Sequence, residues 1–343
     1  MVMLLLMIQL ASTEINAQDA VFSQHFSVPL YLNPAFAGSG DCSRLAVNSR
    51  FHEFYQTYHL AFDHYSERLQ GGIGLMLTRD LQEIDNSPPY ARSGLSAIYA
   101  YHMQLAPEHW IHFSMQAGIH HTGISWNNLR FPLGVGSETP PDVPTTWSPD
   151  LSAGILFYGP VLNAGLAAHH LNEPSESFFE TGSRLYRLPM KFTAHLGAHF
   201  SPEYNRPAHT LLFDWFLSPQ LILQHQGSSR PGIASFNRVN AGLYGGIESI
   251  MAGIWYRYLL GQLPNESNLP AGAVIPDKKH QHNHSFVFLA GIKRPKYQLG
   301  ISYDFAFSGI QAAPHNTIEL SLTYFFNCPP ENIRRQVIKV PLF

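Results

Sequence analysis

Hydrophobic and polar residues alternate strictly in one segment of this chain after another. In the last segment Ile318, Leu320, Leu322, Tyr324 and Phe326 are separated mostly by polar residues. Because successive side chains of a strand point to opposite faces, this period of two predicts strands with one apolar face. Segments of about ten such residues, joined by turn-rich connectors, are typical of a transmembrane β-barrel.

The same alternation predicts fourteen antiparallel strands. They span residues 43–52, 56–67, 71–79, 90–103, 109–121, 148–158, 161–170, 189–200, 209–226, 236–246, 250–259, 285–293, 296–306 and 316–326. Their inner face carries Gly, Ser, His, Thr and Gln, which suits a polar lumen. Aromatic residues near the segment ends suit interfacial girdles, although ordinary strand packing explains each of them equally well.

The strand count depends on residues 209–226, which contain Ser218-Pro219 in the middle. Proline removes a donor from the strand ladder, so the segment is either two strands or one kinked strand. One strand gives an even total, and it keeps long connectors such as 80–89 and 260–284 alternating with short ones. We therefore predict an all-β barrel with both termini on the periplasmic side, where barrels place their short turns. A secreted sandwich or propeller is disfavoured, since we find neither a blade-length repeat nor a linker of shifted composition.

The composition agrees with this interpretation. Only 13% of the 343 residues are charged, compared with roughly 25% in average soluble domains. Beyond the N-terminus no run of about eighteen apolar residues indicates a membrane helix. The net charge of −3, with scattered Lys and Arg, excludes nucleic acid as a partner.

The first residues indicate export. Residues 1–10 are apolar, and Ile15-Asn16-Ala17 places a small residue where signal peptidase cuts, although no positive charge precedes the run. We predict a signal peptide over 1–17, an N-terminal periplasmic segment over 18–42, the barrel over 43–327 and a periplasmic tail over 328–343.

Catalytic and metal-binding signals are weak. His280, His282 and His284 share a face if the chain is extended, but no carboxylate or cysteine accompanies them, so a solvated loop is the favoured interpretation. No phosphate loop, dinucleotide fingerprint or hydrolase elbow occurs. We predict no enzyme activity, no metal and no cofactor.

Charged residues occur at lumen-facing positions of strands near the closing seam. They are Arg50, Asp63, Arg257, Lys293, Asp304 and Glu319. Mixed signs favour a salt-bridge network that fills the lumen over a selectivity lining.

The two cysteines flank the barrel. Cys42 precedes the first strand and Cys328 follows the last, and closure makes these strands neighbours. A disulfide across the seam and two free thiols both remain open.

The segment before the first strand carries a resemblance. The residues Gln18-Asp19-Ala20-Val21-Phe22-Ser23-Gln24-His25-Phe26 and Pro29-Leu30-Tyr31-Leu32-Asn33-Pro34-Ala35-Phe36-Ala37-Gly38-Ser39 resemble the opening of the PorP/SprF family. These are outer-membrane proteins of the type IX secretion and gliding systems of Bacteroidota. Trp255-Tyr256-Arg257 and Gly300-Ile301-Ser302-Tyr303-Asp304 are similar to its strand motifs, and the resemblance covers nearly the whole mature chain.

The resemblance implies an outer-membrane barrel that works with periplasmic secretion-ring and lipoprotein components and helps to secrete or anchor a large surface adhesin. From the residues themselves, 18–41 is too polar and proline-broken to span, so it either plugs the barrel or meets a partner. Candidate docking residues are Tyr31, Asn33, Pro34, Arg334 and Arg335. The competing function is a channel for small solutes, which needs an open lumen.

Overall fold

The computed structural model describes residues 19–53, 55–84, 87–125, 145–176, 178, 187–201, 215–227, 235–262, 280–307 and 316–328. The strands in this part of the chain are β1 Ser43–Phe51, β2 Tyr55–Ser66, β3 Gly71–Ile84, β4 Ser87–Ala106, β5 His109–Ile124, β6 Thr145–Tyr158, β7 Leu162–His169, β8 Lys191–Ala198, β9 Trp215–Gln226, β10 Ser235–Ile247, β11 Ile250–Gln262, β12 His280–Lys293, β13 Tyr297–Ala306 and β14 Thr317–Phe326. Ahead of β1 lie a single-turn helix, α1 Pro29–Leu32, and a 3-10 turn, Pro34–Phe36. Within the described ranges no helix is long and apolar enough to cross a membrane.

The fourteen strands close into one barrel. Each strand pairs antiparallel with its neighbours in the chain, and β1 pairs with β14 from Ser43 opposite Phe326 to Phe51 opposite Ile318. Closure gives every described strand a hydrogen-bonded neighbour on both sides. The predicted fold class, a closed antiparallel barrel of fourteen strands, is confirmed.

The ambiguous segment around Ser218-Pro219 is one strand. β9 runs through both residues and keeps its register with β10, where Pro219 lies opposite Leu243. The single-strand prediction is therefore confirmed for residues 215–226, whereas 209–214 lie outside the described residues.

Two predicted connectors are shorter than expected. Residues 80–84 and 87–89 continue the β3 and β4 ladders, and β11 and β12 extend to Gln262 and His280. Strand pairing uses backbone groups alone. Apolar alternation marks only the membrane-facing part of each strand. The hydrogen-bonded ladders therefore continue beyond the residues that alternate.

The two ends of the barrel differ. The short-turn end carries turns such as 67–70, 107–108, 248–249 and 294–296, together with the start of β1 and the end of β14. Between β8 and β9 at this end, residues 202–214 lie outside the described residues. The long-connector end carries 125–144, 170–190, 227–234, 263–279 and 307–316, with 52–54 and 85–86 as short exceptions.

Candidate functional site: a plugged lumen

The N-terminal segment fills the lumen. We call residues 19–42 the plug, and its residues 22–30 and 32–39 are buried. Asp19 contacts His170 and Lys191, which border a long connector, whereas Gly38 contacts Asp63 near the short-turn end. The plug thus crosses the lumen from the long-connector end to the short-turn end, and the predicted periplasmic segment lies inside the barrel instead of below it.

Local sequence explains how the plug stays compact. Pro29 and Pro34 lie at the starts of α1 and the 3-10 turn, where a missing N–H costs nothing. The Asn33 side chain accepts a hydrogen bond from the Ala35 amide at 2.9 Å. Gly38 has φ +62°, and a Cβ there would collide with the backbone of Gly72. These turns let a short chain fold back on itself within the lumen.

Four of the six predicted lumenal charges meet around the plug. Arg50 and Arg257 contact the same oxygen of Asp304, at 3.1 and 2.9 Å. The Ser23 hydroxyl of the plug donates to that oxygen at 2.7 Å. Glu319 lies beside them in β14. We call Arg50, Arg257, Asp304 and Glu319 the central network. It joins β1, β11, β13 and β14 to the plug, as a filling network would.

Glu319 binds the backbone of the plug. Its two carboxylate oxygens accept hydrogen bonds from the amides of Ser23 and Gln24 at 2.7 and 3.0 Å, and Asn48 donates to it at 2.8 Å. Ser23, Gln24 and Glu319 are all almost completely buried. Charge-assisted hydrogen bonds in such a dry site are stronger than neutral ones, so Glu319 fixes the position of the plug.

The other two predicted network residues lie elsewhere. Asp63 pairs with Arg44 at 2.8 Å and accepts from the Gly38 amide at 2.9 Å, near the short-turn end. Lys293 is the last residue of β12 and is exposed, with its ammonium 5.9 Å from the centre of the Phe216 ring. Its parity is lumenal, as predicted, but it lies at the rim of the barrel, so the structure does not bring it together with the central network.

A second charged cluster, missed in the sequence, holds the start of the plug. Asp19 contacts Lys191 at 2.6 Å, His170 at 2.8 Å and Arg92 at 3.4 Å. The other ring nitrogen of His170 lies 2.8 Å from Asp150. The alternation indicates that Arg92 and Asp150 face inward. Asp19, however, lies in a segment without periodicity, so the sequence does not predict that they meet. We call Asp19 and these four residues the Asp19 cluster.

The two titratable groups of this cluster outside the strands favour their charged forms. Burial alone raises the pKa of Asp19, but the positive charges of His170 and Lys191 outweigh it and hold this pKa well below its usual value. Burial lowers the pKa of His170, but its contacts with Asp19 and Asp150 outweigh that effect and raise it. At neutral pH the ion pairs of the Asp19 cluster therefore hold the N-terminal end of the plug in place.

The pKa shifts of Asp19 and His170 predict how pH affects these ion pairs. Stabilisation from Asp19, whose pKa is lowered, is present above its usual value of about 3.9 and is lost as pH falls through the lowered pKa. Stabilisation from His170, whose pKa is raised, is present below its usual value of about 6.5 and is lost as pH rises through the raised pKa. Hydrogen-exchange protection of residues 20–24 is thus expected to fall on the alkaline side, after correction for intrinsic exchange.

His170→Gln is expected to abolish this alkaline loss of protection. His109→Gln is the matched control, because His109 bonds only locally, to the Pro107 carbonyl at the short-turn end. An alkaline loss that persists in His170→Gln would show that another group controls the anchoring.

An apolar cluster packs around the part of the plug from Phe26 to Phe36. Phe26 lies edge-to-face against Tyr244 with ring centroids 5.3 Å apart, and Tyr244 packs in turn on Trp255. Leu30 and Phe36 belong to the same buried cluster. Burying such side chains is the main non-directional contribution to holding a segment in place.

The predicted docking residues Tyr31, Asn33 and Pro34 have internal partners. The Tyr31 hydroxyl donates to the Ala20 carbonyl at 2.9 Å, and the Asn33 amide donates to the Ile155 carbonyl at 3.0 Å. Asn33 and Pro34 are buried. A partner protein cannot reach these residues in this arrangement. They hold the plug in place and do not form a docking surface. Arg334 and Arg335 lie outside the described residues.

Close contact with Asn33 depends on a glycine in β6. A Cβ at Gly154 would overlap the Asn33 side-chain oxygen. Gly154→Ala is therefore expected to lower the free energy of unfolding by about 1–3 kcal/mol, as overpacking does. Gly245→Ala in β10 is the matched control, because its Cβ would meet only ordinary contacts at 3.5 Å. Equal urea midpoints for the two variants would contradict this packing.

Cys42 and Cys328 form a disulfide with their Cα atoms 4.2 Å apart. Closure of β1 on β14 brings them together at the short-turn end. The bond thus ties the exit of the plug to the seam of the barrel.

The histidine-rich segment is part of the wall. His284 lies in β12, and its Nδ1 is 2.6 Å from the Tyr256 hydroxyl. The side chains of His280 and His282 lie outside the described residues, although their backbone extends β12. Among the described residues no group of three metal-binding side chains is found.

A closed barrel with large apolar side chains outside and a polar, plugged lumen defines an outer-membrane β-barrel protein. The family profile of the type IX secretion system membrane protein PorP/SprF matches residues 14–324. The chain belongs to this family, and it is therefore an outer-membrane component related to type IX secretion.

Comparison with other proteins adds little to this assignment. No curated protein matches the chain. Among solved structures it is similar to the toluene transporter TodX of Pseudomonas putida, with 11% identity over 90% of this chain and 95% of that one and a TM-score of 0.47. It is also similar to the CymD monoaromatic hydrocarbon channel, with 11% identity, 91% and 95% coverage and a TM-score of 0.45. It is similar as well to the outer membrane protein Omp33 of Acinetobacter baumannii, with 10% identity over 84% of this chain and 100% of that one and a TM-score of 0.39.

Proposed function

We propose that this protein is a closed outer-membrane component of the type IX secretion system that helps to secrete or anchor a large surface adhesin. In this proposal its short-turn end faces the periplasm, where barrels place short turns. There it contacts the ring and lipoprotein components of the system. The chain is delivered by a signal peptide over residues 1–17 and performs no catalysis.

The plug is the observation that favours this function over a solute channel. A channel needs a continuous aqueous path, whereas the plug crosses the lumen and is held by the central network, the Asp19 cluster and an apolar cluster. Removing the plug would leave buried charged groups of the wall, such as Glu319 and Lys191, without their plug partners, which is costly. A barrel filled in this way suits a rigid membrane platform for other proteins.

Deletion of the gene tests the proposal. We expect the deletion strain to lose at least one large protein from its surface proteome, and a wild-type copy to restore it, while uptake of small solutes stays unchanged. A normal surface proteome together with reduced solute uptake would reject the secretion role in favour of the channel.

A further inference from the structure

Arg79 is a charged side chain on the outside of the barrel wall. On β3 the outward positions Ile73, Leu75 and Leu77 are exposed and apolar, and the next one is Arg79. Among the strand side chains that the structure describes, Arg79 is the only Asp, Glu, Lys or Arg with outward parity. It has no ion pair and no side-chain hydrogen bond to any described residue. An uncompensated charge facing lipid is costly at the midplane and tolerated near the interface, so its height on the wall matters.

The neighbours of Arg79 place it at a membrane interface. Tyr58 lies directly opposite it on β2, and Ser93 lies opposite it on β4. The same row continues through His121 to Trp147, whose rings are 4.4 Å apart. Tyrosine and tryptophan concentrate at the level of the lipid headgroups. Arg79 therefore lies at headgroup height, towards the long-connector end.

An apolar groove lies directly beside this row. It has a volume of about 710 Å³, and its floor includes Leu60, Leu77, Leu95 and Ile119. Leu77 and Leu95 are 46% and 48% exposed. The groove joins an apolar floor to a single guanidinium at its polar rim.

We propose that this groove binds a phosphorylated lipid, with the phosphate on Arg79 and the acyl chains on the leucine and isoleucine floor. A guanidinium is suited to phosphate because its N–H groups match two phosphate oxygens at once. Charge complementarity selects an anionic headgroup, and the apolar floor selects a lipid over a free anion. The bound lipid belongs to the leaflet on the long-connector side.

Native mass spectrometry of the mature chain in detergent tests this site with dimyristoyl phosphatidylglycerol as the probe. We expect Arg79→Gln to weaken binding roughly tenfold, as expected for one lost charge-assisted contact. Arg79→Lys should recover part of the loss because it keeps the charge. Arg68→Gln is the matched control, since Arg68 is exposed in a turn at the opposite end. Dimyristoylglycerol, which lacks the phosphate, should not distinguish Arg79→Gln from wild type.

Three results would overturn the proposal. The first is equal affinity of wild type and Arg79→Gln for phosphatidylglycerol. The second is an equal loss in Arg68→Gln, which would indicate an effect of net charge. The third is displacement of the lipid by equimolar inorganic phosphate, which would indicate a bare anion site.

Discussion

Replacing Asp304 by alanine is expected to lower the free energy of unfolding by about 3–5 kcal/mol, because Arg50 and Arg257 lose the buried carboxylate that they share. Asp304 accepts from Arg50 and Arg257 at 3.1 and 2.9 Å and from Ser23 at 2.7 Å. Its removal leaves two buried guanidinium groups around a plug residue. The measurement is urea unfolding in detergent or lipid vesicles, followed by tryptophan fluorescence.

Glu248→Asn is the matched control for this variant. Glu248 is an exposed carboxylate in the β10–β11 turn with φ +53°, a conformation that asparagine tolerates. We expect little change there. An Asp304→Ala barrel as stable as the Glu248→Asn barrel would show that the central network contributes little to holding the plug.

Replacing Cys42 by serine is expected to have an effect of similar or larger size. The disulfide joins residues 286 positions apart, and the chain-entropy relation gives about 6 kcal/mol for a loop of this length. The stabilisation arises because the bond restricts the unfolded chain. Unfolding under non-reducing conditions, compared between wild type and variant, measures it.

Cys328→Ser is the internal control, because either substitution removes the same bond. The two single variants and the double variant should lose equal stability, and dithiothreitol should lower wild type to their level. A double variant clearly less stable than either single variant would contradict a shared bond.

The sequence determines the barrel wall well and the contents of the lumen poorly. Strict alternation is a local property, so it predicts the membrane-facing core of each strand, including the strand that carries Pro219. Alternation does not predict the strand ends that extend beyond the membrane, such as β12 near His280, because backbone pairing continues there without an apolar face.

Parity identified the inward charges but not their height along the barrel. Arg50, Arg257 and Asp304 meet because they lie at the same level, whereas Lys293 has the same parity at the rim. Height depends on the stagger between strands, which a single sequence does not show.

The plug was one of two open interpretations of residues 18–41. Its composition shows that the segment does not span the membrane, but whether it enters the lumen depends on lumen width and on distant partners. The Asp19 cluster illustrates this, since seven of the fourteen strands lie between Asp19 and both His170 and Lys191 in the sequence. Pairing of this kind is a property of the closed fold.

Conductance in planar lipid bilayers is the most direct test that this barrel is closed by its own N-terminal segment. The mature chain and a variant lacking residues 19–37 are compared at equal amounts of inserted protein, with the disulfide intact in both. The plugged structure predicts no stable channels for the mature chain and persistent open channels for the variant. Channels of equal conductance in both proteins would contradict the closed lumen.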